Sequence, residues 1–291
     1  MAQYSIKDLE RLSGIKAHTL RIWEKRYRLV EPQRTSTNIR AYSDEDLKRI
    51  LNVSILNRNG VKISHIASLS DQDIHERITI ITRDSNDHES LIENLIIAMI
   101  DLDQEGIENI FSRAILQVGF EEFILKVIYP FLDKIGILWQ IGTINPAQEH
   151  FVSNMIRQKM IVGIDSLIPA INNNPKHFLL FLPEGELHEL GLLFYCYLLQ
   201  KRGHKVTYLG QWVPIRDMIS ASSVLDYDYL LNSVVSIFSG EKLLDYLNKL
   251  SASFSNKTIF VTGLQVESIT SPLPSNIVIL RKGDDIFNHI S

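Results

Sequence analysis

Residues 183–191 read Pro183-Glu184-Gly185-Glu186-Leu187-His188-Glu189-Leu190-Gly191. An imidazole at His188 can bond a transition metal through one ring nitrogen. A carboxylate two residues earlier, Glu186, can accept the other ring N–H and raise the ligand's basicity. Gly191 removes a side chain one turn later, so a bulky ring or a sheet can come close. Alone, Glu-x-His-x-x-Gly is a weak signal, because acids gather wherever a helix begins. A second group changes its weight. Trp139 is followed, after nine intervening residues, by Glu149-His150, and Glu149 stands three, seven and eleven residues before Val152, Ile156 and Met160. It therefore shares their helical stripe, where a carboxylate is costly unless something polar meets it.

To place His188, a strand must end and a helix begin beside it. From Pro175 onward, short apolar or β-branched runs at His177–Leu182, Lys205–Leu209, Tyr229–Ser236, Thr258–Thr262 and Ile277–Leu280 are separated by helical patterns near 188–202, 214–223 and 240–254. Gln265–Asn276 carries two prolines and makes a poor helix. This alternation predicts a flavodoxin-like or Rossmann-like parallel α/β domain over 174–291, whose ligands sit at the carboxyl ends of strands. Upstream, amphipathic segments at 88–102, 104–118, 120–142 and 146–170 predict a four-helix bundle over 89–173. Asn145-Pro146-Ala147-Gln148 opens its last helix with a capping-box pattern and proline at the first helical position. Residues 71–88 are polar and read as a linker.

The first 70 residues differ in charge. The chain's formal net charge is −4, yet residues 1–66 hold 13 Lys/Arg against 7 Asp/Glu, and the remainder holds 17 against 27. Only this first part is expected to meet a polyanion. Ser5 caps a helix carrying Ile6, Leu9 and Leu12, Gly14 suits the left-handed residue of a tight turn, and a second helix runs from about Lys16 to Lys25. Two short helices about a glycine turn make a helix-turn-helix, whose second helix can enter a major groove. Leu20 and Trp23 face inward, while His18, Thr19 and Arg21 fall mainly on other faces. Two short arms around Thr35-Ser36-Thr37-Asn38 predict a β-wing from which Arg34 and Arg40 can reach phosphates. Ser43-Asp44-Glu45-Asp46 then caps a further helix.

The order of Thr19-Leu20-Arg21-Ile22-Trp23-Glu24-Lys25-Arg26-Tyr27 and Arg40-Ala41-Tyr42-Ser43-Asp44-Glu45-Asp46-Leu47 closely resembles the DNA-binding domain of the MerR family of transcription regulators. With Trp139, Glu149-His150 and the His188 loop, nearly the whole chain resembles the light-responsive, adenosylcobalamin-dependent repressors of that family, the CarH/LitR type. The resemblance implies that His18, Thr19, Arg21, Arg34 and Arg40 contact a double-stranded operator. It further implies that His188 is the lower axial ligand of cobalt, oriented by Glu186, and that Trp139, Glu149 and His150 line the upper face. Gly191, Ser236 and Gly263 would border the cofactor and its nucleotide tail. A homo-oligomer, dimer or tetramer, is expected with it.

Three positions depart from the family pattern. Ser236-Ile237-Phe238 stands for Ser-x-Leu, Gly263-Leu264 for Gly-Gly, and Gln140 for the histidine that follows the tryptophan in repressors forming a bis-histidine adduct. They keep open a second reading, a MerR-type regulator whose altered pocket answers to a protein partner or another small ligand. A corrinoid enzyme is not expected, since the chain has no room for a catalytic barrel. Apolar residues make up 45% and charged residues 22%, a globular mix, and Cys196 is the single cysteine, so no internal disulfide forms. The longest apolar run, Leu192–Leu199, has eight residues, too few to cross a bilayer. With no basic-then-apolar leader, a cytoplasmic protein without membrane contact is expected.

Overall fold

Reciprocal caps open the first helices. Ser5 and Asp8, and again Ser43 and Asp46, exchange side-chain and backbone hydrogen bonds across three residues. They start α1 (Ile6–Ser13) and α3 (Asp44–Arg58). In this computed structural model, residues 4–34, 38–83, 87–140, 144–238, 240–266, 269–281 and 283–290 are described, without the side chains of 75, 79, 81–83 and 137–140. Gly14 ends α1 at φ 71, and α2 (Ala17–Tyr27) follows. The wing is a two-stranded antiparallel ribbon, β1 (Gln33–Arg34) and β2 (Arg40–Ala41), with Arg34 opposite Arg40. Leu9, Leu12, Leu20, Trp23, Tyr42, Leu47 and Leu51 fill the core beneath it. The short α4 (Ile63–Ile66) completes the head.

The expected linker at 71–88 is instead mostly helix α5 (Asp71–Arg83). Its polar start is a third reciprocal cap, between Ser70 and Asp73. Ile74 and Ile78, one turn apart, are buried, and the helix packs against α3. The polar residues that suggested a loop are the cap and the outer face.

Helices α6 (His88–Ile100), α7 (Gln104–Val118), α8 (Phe120–Phe123), α9 (Tyr129–Gln140) and α10 (Pro146–Asp165) cover the expected bundle segments. A π-turn over Ile124–Ile128 joins α8 to α9, and Tyr129 N–H reaches back five residues to the Ile124 carbonyl. Pro130 follows at once; having no N–H, it cannot continue the ordinary ladder. At the start of α10 only half of the expected capping box forms. Asn145 Oδ1 accepts from Ala147 N–H, whereas the Gln148 amide donates to the Ile100 carbonyl.

The chain divides into two compact units, Met1–Met155 and Ile156–Ser291, with the boundary inside α10. In the first, the head is fastened to the helices after it. The Arg58 guanidinium meets both oxygens of the fully buried Glu93 (NH2 to Oε2 2.6 Å) and the Asp87 carboxylate at 3.1 Å. Lys134 binds the Leu12 carbonyl and Glu89, and Lys48 binds Asp101 at 2.8 Å.

In the second unit the strands are β3 (His177–Pro183), β4 (Lys205–Val213), β5 (Tyr229–Ser233), β6 (Thr258–Thr262) and β7 (Ile277–Ile279), all parallel, in the order β4-β3-β5-β6-β7. Alternate residues sort onto the two faces. Phe178, Leu180, Leu182, Leu231 and Phe260 pack against α11 (Leu190–Lys201). Leu179, Phe181, Leu230, Ile259 and Val261 pack with Met218 of α12 (Ile215–Ser222) and with Leu243, Leu247 and Leu250 of α13 (Glu241–Ser253). After β6 the proline-bearing stretch forms one 3-10 turn, Leu264–Val266. No helix among the described residues is long and apolar enough to cross a membrane.

Candidate functional site

The chain leaves β3 toward α11 on one face, whereas β5 and β6 continue to the other side of β3. The strand order therefore reverses at β3, and a crevice opens at the carboxyl ends of β3 and β5. The loop that carries His188 lies there.

Glu186 organises that loop. It is fully buried, and its carboxylate accepts from the backbone N–H groups of Leu187 and His188, each at 3.0 Å, and of Val235 and Ser236 at 2.9 and 2.8 Å. Burial alone would raise its pKa. The bonds from the His188 ring and from the backbone of Ser236, His188 and Val235 outweigh burial and draw it down to about 2. A carboxylate only accepts, so His188 Nδ1, 2.6 Å away, carries its proton toward Glu186, with Ser236 Oγ at 3.2 Å. Whenever the ring is neutral its lone pair is therefore on Nε2, and the side chain is 61% exposed. Glu186, His188 and Ser236 thus come together as one constellation across two loops.

Gly191 begins the second residue of α11, and a Cβ there would meet nothing within 4 Å. Gly263 serves its own backbone. At φ 108, a Cβ there would lie 2.3 Å from the Val234 carbonyl oxygen, so glycine lets the loop after β6 rest against the strand end that supplies Val235 and Ser236. Leu264, which stands for the family's second glycine, is 57% exposed. Phe238 stacks on Tyr246 with ring centroids 4.8 Å apart.

Trp139 and Gln140 close α9, and their side chains lie outside the described residues. Glu149 is half-buried and pairs with the exposed His150 at 2.8 Å, so the carboxylate on the apolar stripe finds its polar partner in the adjacent residue. Val152, Ile156 and Met160 of that stripe are buried.

In the head, His18, Arg21 and Arg34 are exposed and Thr19 is partly so; Thr19 Oγ1 lies 3.3 Å from His18 Nε2. Arg34 reaches Asn38 at 2.6 Å across the wing. Arg40 is partly buried, and its Nε lies 3.1 and 3.0 Å from the two oxygens of Glu24, whose carboxylate also accepts from Tyr42. This ties the wing to α2, a role that the sequence did not signal because sixteen residues separate the two partners.

A profile described as MerR HTH family regulatory protein matches residues 4–73, and one described as B12 binding domain matches residues 91–162. Over 255 residues the chain is 31% identical to the HTH-type transcriptional repressor CarH of Myxococcus xanthus, an alignment covering 85% of this chain and 84% of that protein. The chain belongs to the CarH family of MerR-type regulators. The HTH-type transcriptional repressor CarA of the same organism is 27% identical over 262 residues, 89% of this chain and 86% of the relative. The fold extends further: the monomethylamine corrinoid protein of Methanosarcina barkeri superposes with a TM-score of 0.51 at 14% identity, over 69% of this chain and 97% of that one. This CarH-family member is therefore a transcription regulator and not an enzyme, with a DNA-binding helix-turn-helix and a B12-binding domain. The donor set at the crevice suits cobalt. An imidazole that donates from Nδ1 to a carboxylate presents Nε2 as the metal-ligating atom, and a Cβ at Gly191 would meet nothing within 4 Å.

Proposed function

We propose that this protein represses transcription by gripping an operator as an oligomer, and that adenosylcobalamin held at His188 favours that assembly. The observation that carries the reading is the Glu186–His188–Ser236 geometry: a buried anion, held by four backbone N–H groups, fixes the imidazole tautomer needed for axial ligation. In this reading His188 would hold the cobalt of the cofactor, with Glu186 orienting its ring. Trp139, Glu149, His150, Gly191, Ser236 and Gly263 would be further cofactor-binding residues. Bound adenosylcobalamin would supply a cobalt–carbon bond that light can cleave. Loss of the assembly on illumination requires only that the intact cofactor bind the assembled state more tightly than the dissociated one. Several weak heads, each using His18, Thr19, Arg21, Arg34 and Arg40, then reach useful affinity through avidity. A DNA-binding protein of this kind works in the cytoplasm.

The test is the absorbance spectrum and the size of the adenosylcobalamin-loaded protein, in darkness and after illumination, with operator binding followed in parallel. The protein should stay red through gel filtration in the dark and become smaller in light. His188→Ala should weaken retention at least tenfold. Colourless protein from the dark column would overturn this reading and favour a pocket that answers to another ligand.

A further inference from the structure

Four consecutive residues of the crevice loop are held by β4, by α10 and by the loop after β5. Glu186 binds the loop after β5, and the Leu187 carbonyl accepts from the Gln211 amide of β4 at 2.8 Å. His188 is oriented by Glu186 and Ser236. Glu189, next to it, is 5% exposed, and its carboxylate lies between two donors from elsewhere in the second unit. Arg157 of α10 donates its Nε–H to Oε1 at 2.5 Å, and Tyr208 of β4 donates its hydroxyl to Oε2 at 2.7 Å.

The direction of the Glu189 side chain is informative. Glu189 occupies the cap position of α11, and its carbonyl accepts the first helical bond from Leu193, but its carboxylate makes no capping bond to that helix. An acidic side chain there ordinarily serves the exposed N–H groups of the helix. This one is turned away, out of water, toward α10 and β4. Taking a carboxylate out of water is costly unless charge and hydrogen bonds meet it, and Arg157 and Tyr208 supply both.

We infer that Glu189, clamped by Arg157 and Tyr208, is a positioning residue for the axial ligand: it fixes the backbone on the far side of His188 as Glu186 fixes the near side, so that the imidazole is held ready to bind cobalt. The inference rests on the cobalamin reading for its consequence but not for its geometry. None of the three side chains touches cobalt in this scheme; they act through the placement of His188.

The experiment has two arms. In the cofactor-free full chain, amide hydrogen exchange is measured at Leu187 and His188, whose N–H groups bond Glu186. Arg157→Leu and Glu189→Gln should speed exchange there about tenfold more than their loss of global stability accounts for, and Arg157→Lys should restore much of the protection. Unchanged exchange at these two amides overturns the inference whether or not cobalamin binds. In the second arm, the proteins are loaded with adenosylcobalamin in darkness, and the fraction with nitrogen ligation from His188 is read from absorbance. Wild-type protein should be fully ligated, and this sample alone tests the cobalamin reading. Arg157→Leu and Tyr208→Phe should retain cofactor but lower the ligated fraction severalfold. Full ligation in both variants, with only the melting temperature reduced, would show a merely structural clamp and overturn the inference.

Discussion

Glu93 in the head-bearing unit and Glu186 in the α/β unit are both fully buried carboxylates, yet their environments push them in opposite directions. Burial raises Glu93, and the Arg58 guanidinium with its charge offsets this only in part. Burial also acts on Glu186, but the His188 ring and convergent backbone N–H groups overcome it and bring the carboxyl to about 2. The difference lies in the donors. Arg58 is a long side chain, one-third exposed, that must be ordered to serve Glu93. The N–H groups of Leu187, His188, Val235 and Ser236 belong to the backbone and have no rotamers of their own to order. A preorganised site holds a charge more firmly than a flexible partner does.

The largest expected effect follows from removing the fixed site's anion. Glu186→Leu leaves four part-buried N–H groups without their acceptor, and at about 1 kcal/mol for each group left unmet, the low end of the usual range, the loss should be about 4 kcal/mol. Denaturant midpoints of the full chain would show it in the transition of the α/β unit. Glu186→Gln should also do harm, because whichever way the amide turns, its NH2 faces N–H donors.

Breaking the flexible pair should cost less. Arg58→Leu exposes Glu93 to burial without compensation, a change worth about 3 kcal/mol in comparable cases. Here Glu93 has an escape, because a carboxyl already raised by burial can take a proton. A group whose folded pKa lies above its unfolded value binds protons more tightly when folded. Acidification therefore favours the folded state, from the folded pKa down to the ordinary carboxylate range. The stability lost in Arg58→Leu should shrink as pH falls from 7 to 5, and thermal melts at several pH values would reveal this. A loss that grows on acidification would contradict the comparison. Replacing both partners, Arg58→Met with Glu93→Leu, should come within about 1 kcal/mol of wild type, since nothing charged is then left buried.

A smaller contrast of the same type exists on the head. Arg34 is exposed, and Arg34→Ala should lower affinity for all DNA sequences alike and flatten the salt dependence by about one unit. Arg40 holds Glu24 and with it the wing against α2. Arg40→Ala should therefore also loosen the wing, visible as a lower melting temperature without DNA, where Arg34→Ala leaves it unchanged.

Much of this was legible in the residues. The glycine turn at Gly14, the Ser43 cap, the alternation of strand and helix patterns after Pro175 and the Glu186–His188 spacing are all local, and local geometry follows from neighbours in sequence. The helix at Asp71–Arg83 escaped notice because a polar cap and a polar outer face look like a linker until Ile74 and Ile78 find α3 to pack against. Likewise the sequence singled out Gly263, but that its backbone must rest against Val234 emerged only from the fold.

By itself the sequence determined the order of head, helices and sheet, the family, and the imidazole with its carboxylate, because each of these rests on spacings of a few residues. Tertiary structure alone decided that Glu186 is an anion, that Arg58 meets Glu93, and that Glu189 turns from its own helix to Arg157 and Tyr208, partners 32 and 19 residues away. A side chain's charge and direction depend on what surrounds it in space, and only the folded chain brings those surroundings together.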